Sequence, residues 1–156
     1  MIESEITPIK IRNYQDDDFS SVTTLEEAGI HTSYLSAVFI RQMSACCPDT
    51  FLVAVDGTHP VGYSIGVCVQ NNPGQAWILR LAVSEKYRGN GIGTALISTM
   101  VDRLTDKGAH EIFLTVAPEN QSARRLYKRL GFLQEQIYPA YFGPGHDRLI
   151  LKKMRA

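Results

Sequence analysis

Apolar residues along this chain fall into two interleaved patterns: short runs bounded by turn residues, and longer stretches with helical spacing. Pro8 to Tyr14 reads as a first strand. A helix follows, capped by Asp16, Asp17 or Asp18 and running toward Ala28, and then a second over about Ser33 to Ala45. Thr50 to Val55 and Val61 to Val69 read as strands joined through Asp56-Gly57, a dipeptide suited to a tight hairpin. Asn71-Asn72-Pro73-Gly74 reads as the next turn, ahead of an apolar run from Trp77 to Val83. The second half continues with a helix from Gly91 to Lys107 and a buried strand from Glu111 to Val116. Asn120 is a natural N-cap for a last helix that Gly131 would stop, and Leu133 to Tyr138 and Arg148 to Lys152 read as closing strands. The predicted order is βααβββαβαββ.

Composition narrows the class without naming a chemistry. With 156 residues, 44% of them hydrophobic, and no repeat or polar linker, the expectation is a single domain over residues 1–156. No apolar stretch approaches the roughly 20 residues needed to cross a bilayer, and the start, Met1-Ile-Glu-Ser-Glu, lacks the basic opening of a secretory signal, so no membrane partner and a cytoplasmic location are expected. Cys46, Cys47 and Cys68 form no metal-ligand spacing with the four histidines; three reduced, packed thiols and no metal are expected. The net charge of zero hides an asymmetry: residues 1–79 carry three basic and nine acidic residues, and residues 80–156 carry thirteen and seven. An anionic ligand on the second half and a cationic one approaching from the first would suit that split, as would scattered solvated charge. Specific nucleic-acid binding is disfavoured by the neutral total and the absence of any reading motif.

The candidate chemistry begins where the Trp77–Val83 run breaks into Arg88-Gly89-Asn90-Gly91-Ile92-Gly93-Thr94 at the start of a helix. Such a turn offers unpaired amides and the positive end of a helix dipole to a phosphate. Its spacing fits neither the nucleotide P-loop nor the dinucleotide fingerprint. What remains is Arg-x-x-Gly-x-Gly after a strand, flanked by Leu81-Ala82-Val83 and Tyr87, and it resembles the acetyl-CoA pyrophosphate loop of the GNAT superfamily of N-acetyltransferases. The run Asn120-Gln-Ser-Ala-Arg-Arg-Leu-Tyr127-Lys-Arg-Leu-Gly-Phe132 resembles that superfamily's second signature. Tyr138-Pro-Ala-Tyr141-Phe142-Gly143, followed by Asp147, resembles the aromatic substrate loop of the branch that acetylates protein amino termini, the ribosomal-protein alanine acetyltransferases included.

This resemblance implies an α/β fold: a mixed, twisted sheet of about seven strands, flanked by about four helices, whose parallel fourth and fifth strands splay apart. It implies acetyl-CoA as the cofactor. Leu81, Ala82 and Val83 would meet pantetheine through their backbones, Arg88, Gly89, Asn90, Gly91, Ile92, Gly93 and Thr94 would hold the pyrophosphate, and Asn120, Arg124 and Tyr127 would line the arm, with Tyr127 as general acid to the departing sulfur. Thr94, Arg124 and Tyr127 each have an ordinary reading beside that one, as a first-turn residue, a solvated charge and a packing aromatic. Thr115, Tyr138, Tyr141 and Phe142 would contact the acceptor. The branch often carries Glu or His where this chain has Thr115, which cannot act as a base at neutral pH; Glu119 and His110 are the alternatives, and Glu26 and Glu27 are weaker candidates for attracting a cationic acceptor. The implied activity is acetyl transfer to a peptide or protein N-terminal α-amine. The alternatives are a small amine acceptor such as a polyamine, amino sugar or amino acid, or a silent acyl-CoA sensor. Dimers are common in the superfamily, and no feature of the sequence decides for one.

Overall fold

The computed structural model describes residues 8–27 and 33–155, and its strands join in one seven-stranded sheet. In chain order the elements are β1 (Lys10–Asn13), α1 (Phe19–Glu27), α2 (Ser33–Cys46), β2 (Phe51–Asp56), β3 (His59–Val69), β4 (Asn72–Val83), α3 (Ile92–Asp106), β5 (Glu111–Val116), α4 (Gln121–Arg129), β6 (Gln134–Tyr138) and β7 (Arg148–Met154). The sheet order is β1-β2-β3-β4-β5-β7-β6, and β4 and β5 are parallel in an otherwise antiparallel arrangement. The predicted order of elements and the parallel pair are both present.

Three local expectations need correction. The turn expected at Asn71 to Gly74 is tighter: Asn71 takes positive φ (70°) and β4 already begins at Asn72, so Pro73 and Gly74 lie within the strand. Asn tolerates the left-handed region well enough to close that turn without glycine. Asp16–Asp18 do not cap α1 directly but form a short 3-10 turn ahead of it, in which the Asp18 carboxylate accepts from the Gln15 amide at 2.8 Å and from both terminal nitrogens of Arg12 at 2.6 and 2.9 Å. The cysteines are not packed: Cys46 and Cys68 are exposed and Cys47 is half-buried. The expected end of α1 at Ala28 lies outside the described residues.

Helices cover the sheet unequally. On one face α3 and α4 bury Leu96, Ile97, Met100, Leu104 and Tyr127 against Ala54, Val61, Ile78, Ile112, Leu114 and Leu151. On the other, α1 and α2 bury Val22 and Ile40 against Phe51, Val53, Tyr63 and Ile65, so they cover β2 and β3 and reach the near edge of β4. Phe113, Thr115 and Ile150 of β5 and β7 lie on this second face only half-buried. The sheet beside α1 and α2, along the line where β4 meets β5, is therefore only partly covered on this face. Asp18 anchors the chain that enters α1, and charged hydrogen bonds of this kind are each worth about 1.5–3 kcal/mol. Asp18→Ala should lower the unfolding free energy by about 2 kcal/mol, measured as a shift in urea midpoint at unchanged slope.

Candidate functional site

The parallel pairing of β4 and β5 ends at Ile78 opposite Leu114, although β4 continues to Val83 and β5 to Val116. Beyond that rung Leu81, Ala82 and Val83 still pair with Ser64, Tyr63 and Gly62 of β3, which leaves the β5-facing edge of their backbone open. Backbone polar groups in such a position require another partner. The arrangement matches the splay expected from the sequence.

At the end of β4 the chain turns into the glycine-rich loop. Gly89 and Gly91 both hold φ of 78°, a region that costs other residues roughly 1–2 kcal/mol. The constraint is backbone geometry, since a Cβ at either would meet nothing within 4 Å. Gly93 differs: a Cβ there would stand 3.2 Å from Leu126 of α4 and 3.7 Å from Leu81, so its absence lets the first turn of α3 close against α4 and β4. Asn90 donates to the carbonyls of Tyr87 and Arg88, the Arg88 guanidinium returns to the Val83 carbonyl at 3.2 Å, and the Tyr87 hydroxyl donates to Asp56 at 2.7 Å. These bonds hold the loop, and none of them takes an amide at the start of α3. Ile92 is buried beneath them and Thr94 is half-buried.

The α4 residues divide by depth. Asn120 caps the helix, accepting from the Ala123 amide at 3.2 Å, which engages its side-chain oxygen and leaves its amide nitrogen. Arg124 is occupied within the protein, donating to the Pro118 carbonyl at 3.0 Å and pairing with Glu135 at 3.2 Å. Arg125, Lys128 and Arg129 are exposed and, with Ser122, line a surface depression of about 460 Å³ formed by α4 alone, outside the β4–β5 splay. Tyr127 is 8% exposed and packs edge-on against Phe132, and burial pushes its phenol up to about 12.

Thr115, Tyr138 and Arg148 share the face opposite Leu114 and Tyr127: Thr115 pairs with Ile150, and Tyr138 with Arg148 two residues along β7. Tyr138, Tyr141 and Phe142 form a chain of ring contacts at 5.7 and 5.0 Å, with the Arg148 guanidinium 4.9 Å over Phe142. Asp147 accepts from the Ala140 amide at 2.7 Å and closes this loop, leaving Tyr141 and Phe142 largely exposed. His110 does not join the cluster. It precedes β5 and donates its amide to Gly74, at the opposite end of the strand from Thr115. Glu119 is exposed in the turn before α4.

A charged cluster that the sequence did not disclose stands at the splay. Glu26 of α1 is 4% exposed; it accepts from the Tyr63 hydroxyl and from Arg80 Nε at 3.0 Å, and Arg80 also lies 5.2 Å over the Phe39 ring of α2. Burial foremost, with the Glu26 carboxylate second, pushes the Tyr63 phenol well above its usual range. Glu26, one of the weaker candidates for attracting a cationic acceptor, is buried and paired with Arg80; Glu27 is half-buried. The one available signal was Arg80 itself, a lone charge within an apolar strand.

The profile of the acetyltransferase (GNAT) family matches residues 10–132. The chain belongs to that family. It is 31% identical over 146 residues to an uncharacterised N-acetyltransferase of Methanocaldococcus jannaschii, covering 93% of this chain and 91% of that one. To N-alpha-acetyltransferase 30 of Schizosaccharomyces pombe it is 31% identical over 121 residues, 75% and 77% of the two chains. Its fold superposes on Naa50 of Arabidopsis thaliana, solved in complex with the bisubstrate analogue CoA-Ac-MVNAL, with a TM-score of 0.80 at 20% identity, covering 94% and 99%. The GNAT protein is thus an acetyltransferase built on a mixed sheet with a splayed parallel pair. Among the described residues no group of three or more His, Cys, Asp or Glu is placed to hold a metal, and no helix is long and apolar enough to cross a membrane.

Removing Glu26 should strand both the Tyr63 hydroxyl and the Arg80 guanidinium. Glu26→Ala is expected to lower stability by about 2–4 kcal/mol. In a double-mutant cycle by urea unfolding, Glu26→Ala with Arg80→Met should cost less than the sum of the single changes.

Proposed function

We propose that this GNAT protein transfers the acetyl group of acetyl-CoA to the free α-amine of a peptide or protein. The observation that carries the reading is the two-sided splay. The open backbone edge of Leu81, Ala82 and Val83 leads on one side to the glycine loop, and faces on the other the partly covered surface bordered by Thr115 and the exposed aromatic loop. The S. pombe relative's name and the CoA–peptide analogue bound to the Arabidopsis neighbour support it.

In this reading the amides from Gly89 to Thr94 and the Arg88 side chain hold the pyrophosphate, the β5-facing groups of Leu81 to Val83 and the Asn120 amide nitrogen hold the pantetheine arm, and Arg124 shapes that wall through its bonds to Pro118 and Glu135. A backbone NH at the splay polarises the thioester carbonyl, a contribution of about 3–4 kcal/mol where such a donor is well aimed. Thr115, Tyr138, Tyr141 and Phe142 receive the acceptor from the opposite face. The amine nitrogen attacks the carbonyl carbon, the carbon–sulfur bond breaks, and the ammonium proton leaves to solvent.

Thr115 supplies no base, and an α-amine has least need of one. With a pKa of about 7.7–8.0 it is roughly a tenth neutral at pH 7, whereas lysine at about 10.4 is neutral in under a thousandth of molecules. Tyr127, raised to about 12, keeps its proton throughout this range and stabilises the departing thiolate by hydrogen-bond donation.

Release of CoA thiol, measured with free-α-amino peptides, terminally blocked peptides bearing one lysine, and small amines, tests the acceptor. Turnover on the first set is expected; turnover confined to lysine or small amines overturns the reading. The rate should rise with pH through the amine pKa near 8 and then hold level to about pH 10, because the amine is by then neutral and the Tyr127 phenol, raised to about 12, still keeps its proton. Tyr127→Phe should lower kcat by about a hundredfold with little change in KM.

A further inference from the structure

The β-bulge at Leu79 turns a lone cation toward the acceptor. We infer, resting on the acyl-transfer reading above, that Arg80 selects acceptors bearing a carboxylate on the same residue as the reacting amine. Along β4 the packing alternates, with Ile78, Leu81 and Val83 against the α3–α4 core and Ala82 against the α1–α2 core. The register with β3 slips between Arg80 opposite Ile65 and Ile78 opposite Gly66, and Leu79 is the extra residue. Leu79 and Arg80 consequently both face α1 and α2; without the bulge Arg80 and Ala82 would fall on the Ile78 face, against α3 and α4. Ser64 steadies the bulge by donating to the Arg80 carbonyl at 2.9 Å. Arg80 thus stands just past the last β4–β5 rung, on the side that also bears Thr115 and Tyr138, next to the Leu81 backbone where the thioester would lie.

Its hydrogen bonds differ from those of an arginine serving only as a counter-ion. Arg12 gives the buried carboxylate of Asp18 a two-pronged clasp through both terminal nitrogens. Glu26 takes only Nε from Arg80, its other oxygen going to Tyr63, and Nη1 donates to the Leu79 carbonyl at 3.2 Å. Nη2 has no hydrogen-bond partner among the described residues, and the side chain is 39% exposed. Glu26 and the Phe39 ring fix the guanidinium plane, so the end-on fork of Nη2 and the second Nη1 hydrogen is held in a set orientation on a partly exposed side chain. That fork matches a carboxylate, and because Glu26 cancels the formal charge the recognition is short-range and directional. A carboxylate on the residue that bears the amine belongs either to an acidic first residue of a peptide or to a free amino acid.

The test compares kcat/KM for matched acceptors with the wild-type protein, Arg80→Met, and the charge-balanced double variant Glu26→Gln/Arg80→Met. The acceptors are amidated peptides beginning with Asp or Asn and with Glu or Gln, and free alanine against alaninamide. Wild type should favour the acid over its amide by about tenfold or more in one arm, and which arm does so identifies the source of the carboxylate. Both variants should abolish the ratio, which general loss of folded enzyme cannot do, since it lowers acid and amide rates together. Equal wild-type rates for acid and amide, or a ratio that survives in both variants, overturns the inference while leaving acyl transfer standing. If no acceptor releases CoA thiol, the acyl-transfer reading falls and the inference with it.

Discussion

The organising constraint is an unmet one: β4 runs five residues past its last pairing with β5, so a row of backbone groups at the centre of the sheet has no strand beside it. Buried amides and carbonyls left this way are costly, and a sheet ordinarily avoids them. Two features keep the gap open. The bulge at Leu79 adds twist to β4 where it leaves β5, and β3 holds the other edge of the same residues in register through Gly62 to Ile65. In the proposed function an extended ligand with polar groups spaced along its length would complete the ladder, as a strand added to a sheet edge would.

The splay also gives the molecule two different faces at one point. Toward α3 and α4 the walls are apolar and the polar features are backbone amides and a desolvated phenol. Toward α1 and α2 the features are side chains: a fixed guanidinium, a threonine and exposed aromatics. A ligand bound by main chain is recognised by shape and phosphate, while one bound by side chains is recognised by its own substituents, so in the proposed function the second face would carry specificity.

What the sequence revealed and what it concealed follow from the range of the interactions. Asn120, Gly131, Gly57 and the glycines at 89 and 91 act on their own backbone within a few residues, and the structure has each in the conformation that its chemistry favours, although the hairpin turn falls on Gly57-Thr58, one residue later than expected, with Asp56 still paired to His59 in β2. The start of β4 is obscured because Pro73 and Gly74 are turn residues by propensity, yet a strand end tolerates both once Asn71 has closed the turn. The place of Glu26 is hidden for a different reason. Its partners, Tyr63 and Arg80, lie 37 and 54 residues away, and nothing local distinguishes it from the neighbouring half-buried Glu27. His110 and Thr115 belong to the same short stretch of chain, but the strand separates them by nearly its whole length, so only one reaches the splay.

Tyr127 shows how burial changes a role that the motif alone suggests. At an ordinary pKa near 10, transfer of its proton to a thiolate resembling cysteine, about 8.5, is uphill by one to two units. Raised to about 12, full transfer is uphill by roughly two units more. The same desolvation that opposes ionisation strengthens a hydrogen bond from the hydroxyl to an anion, because no water competes for either. The phenol is thus better suited to sharing its proton with the leaving sulfur than to surrendering it. In the proposed transfer it would stay protonated, with no reprotonation step before the next acceptor enters.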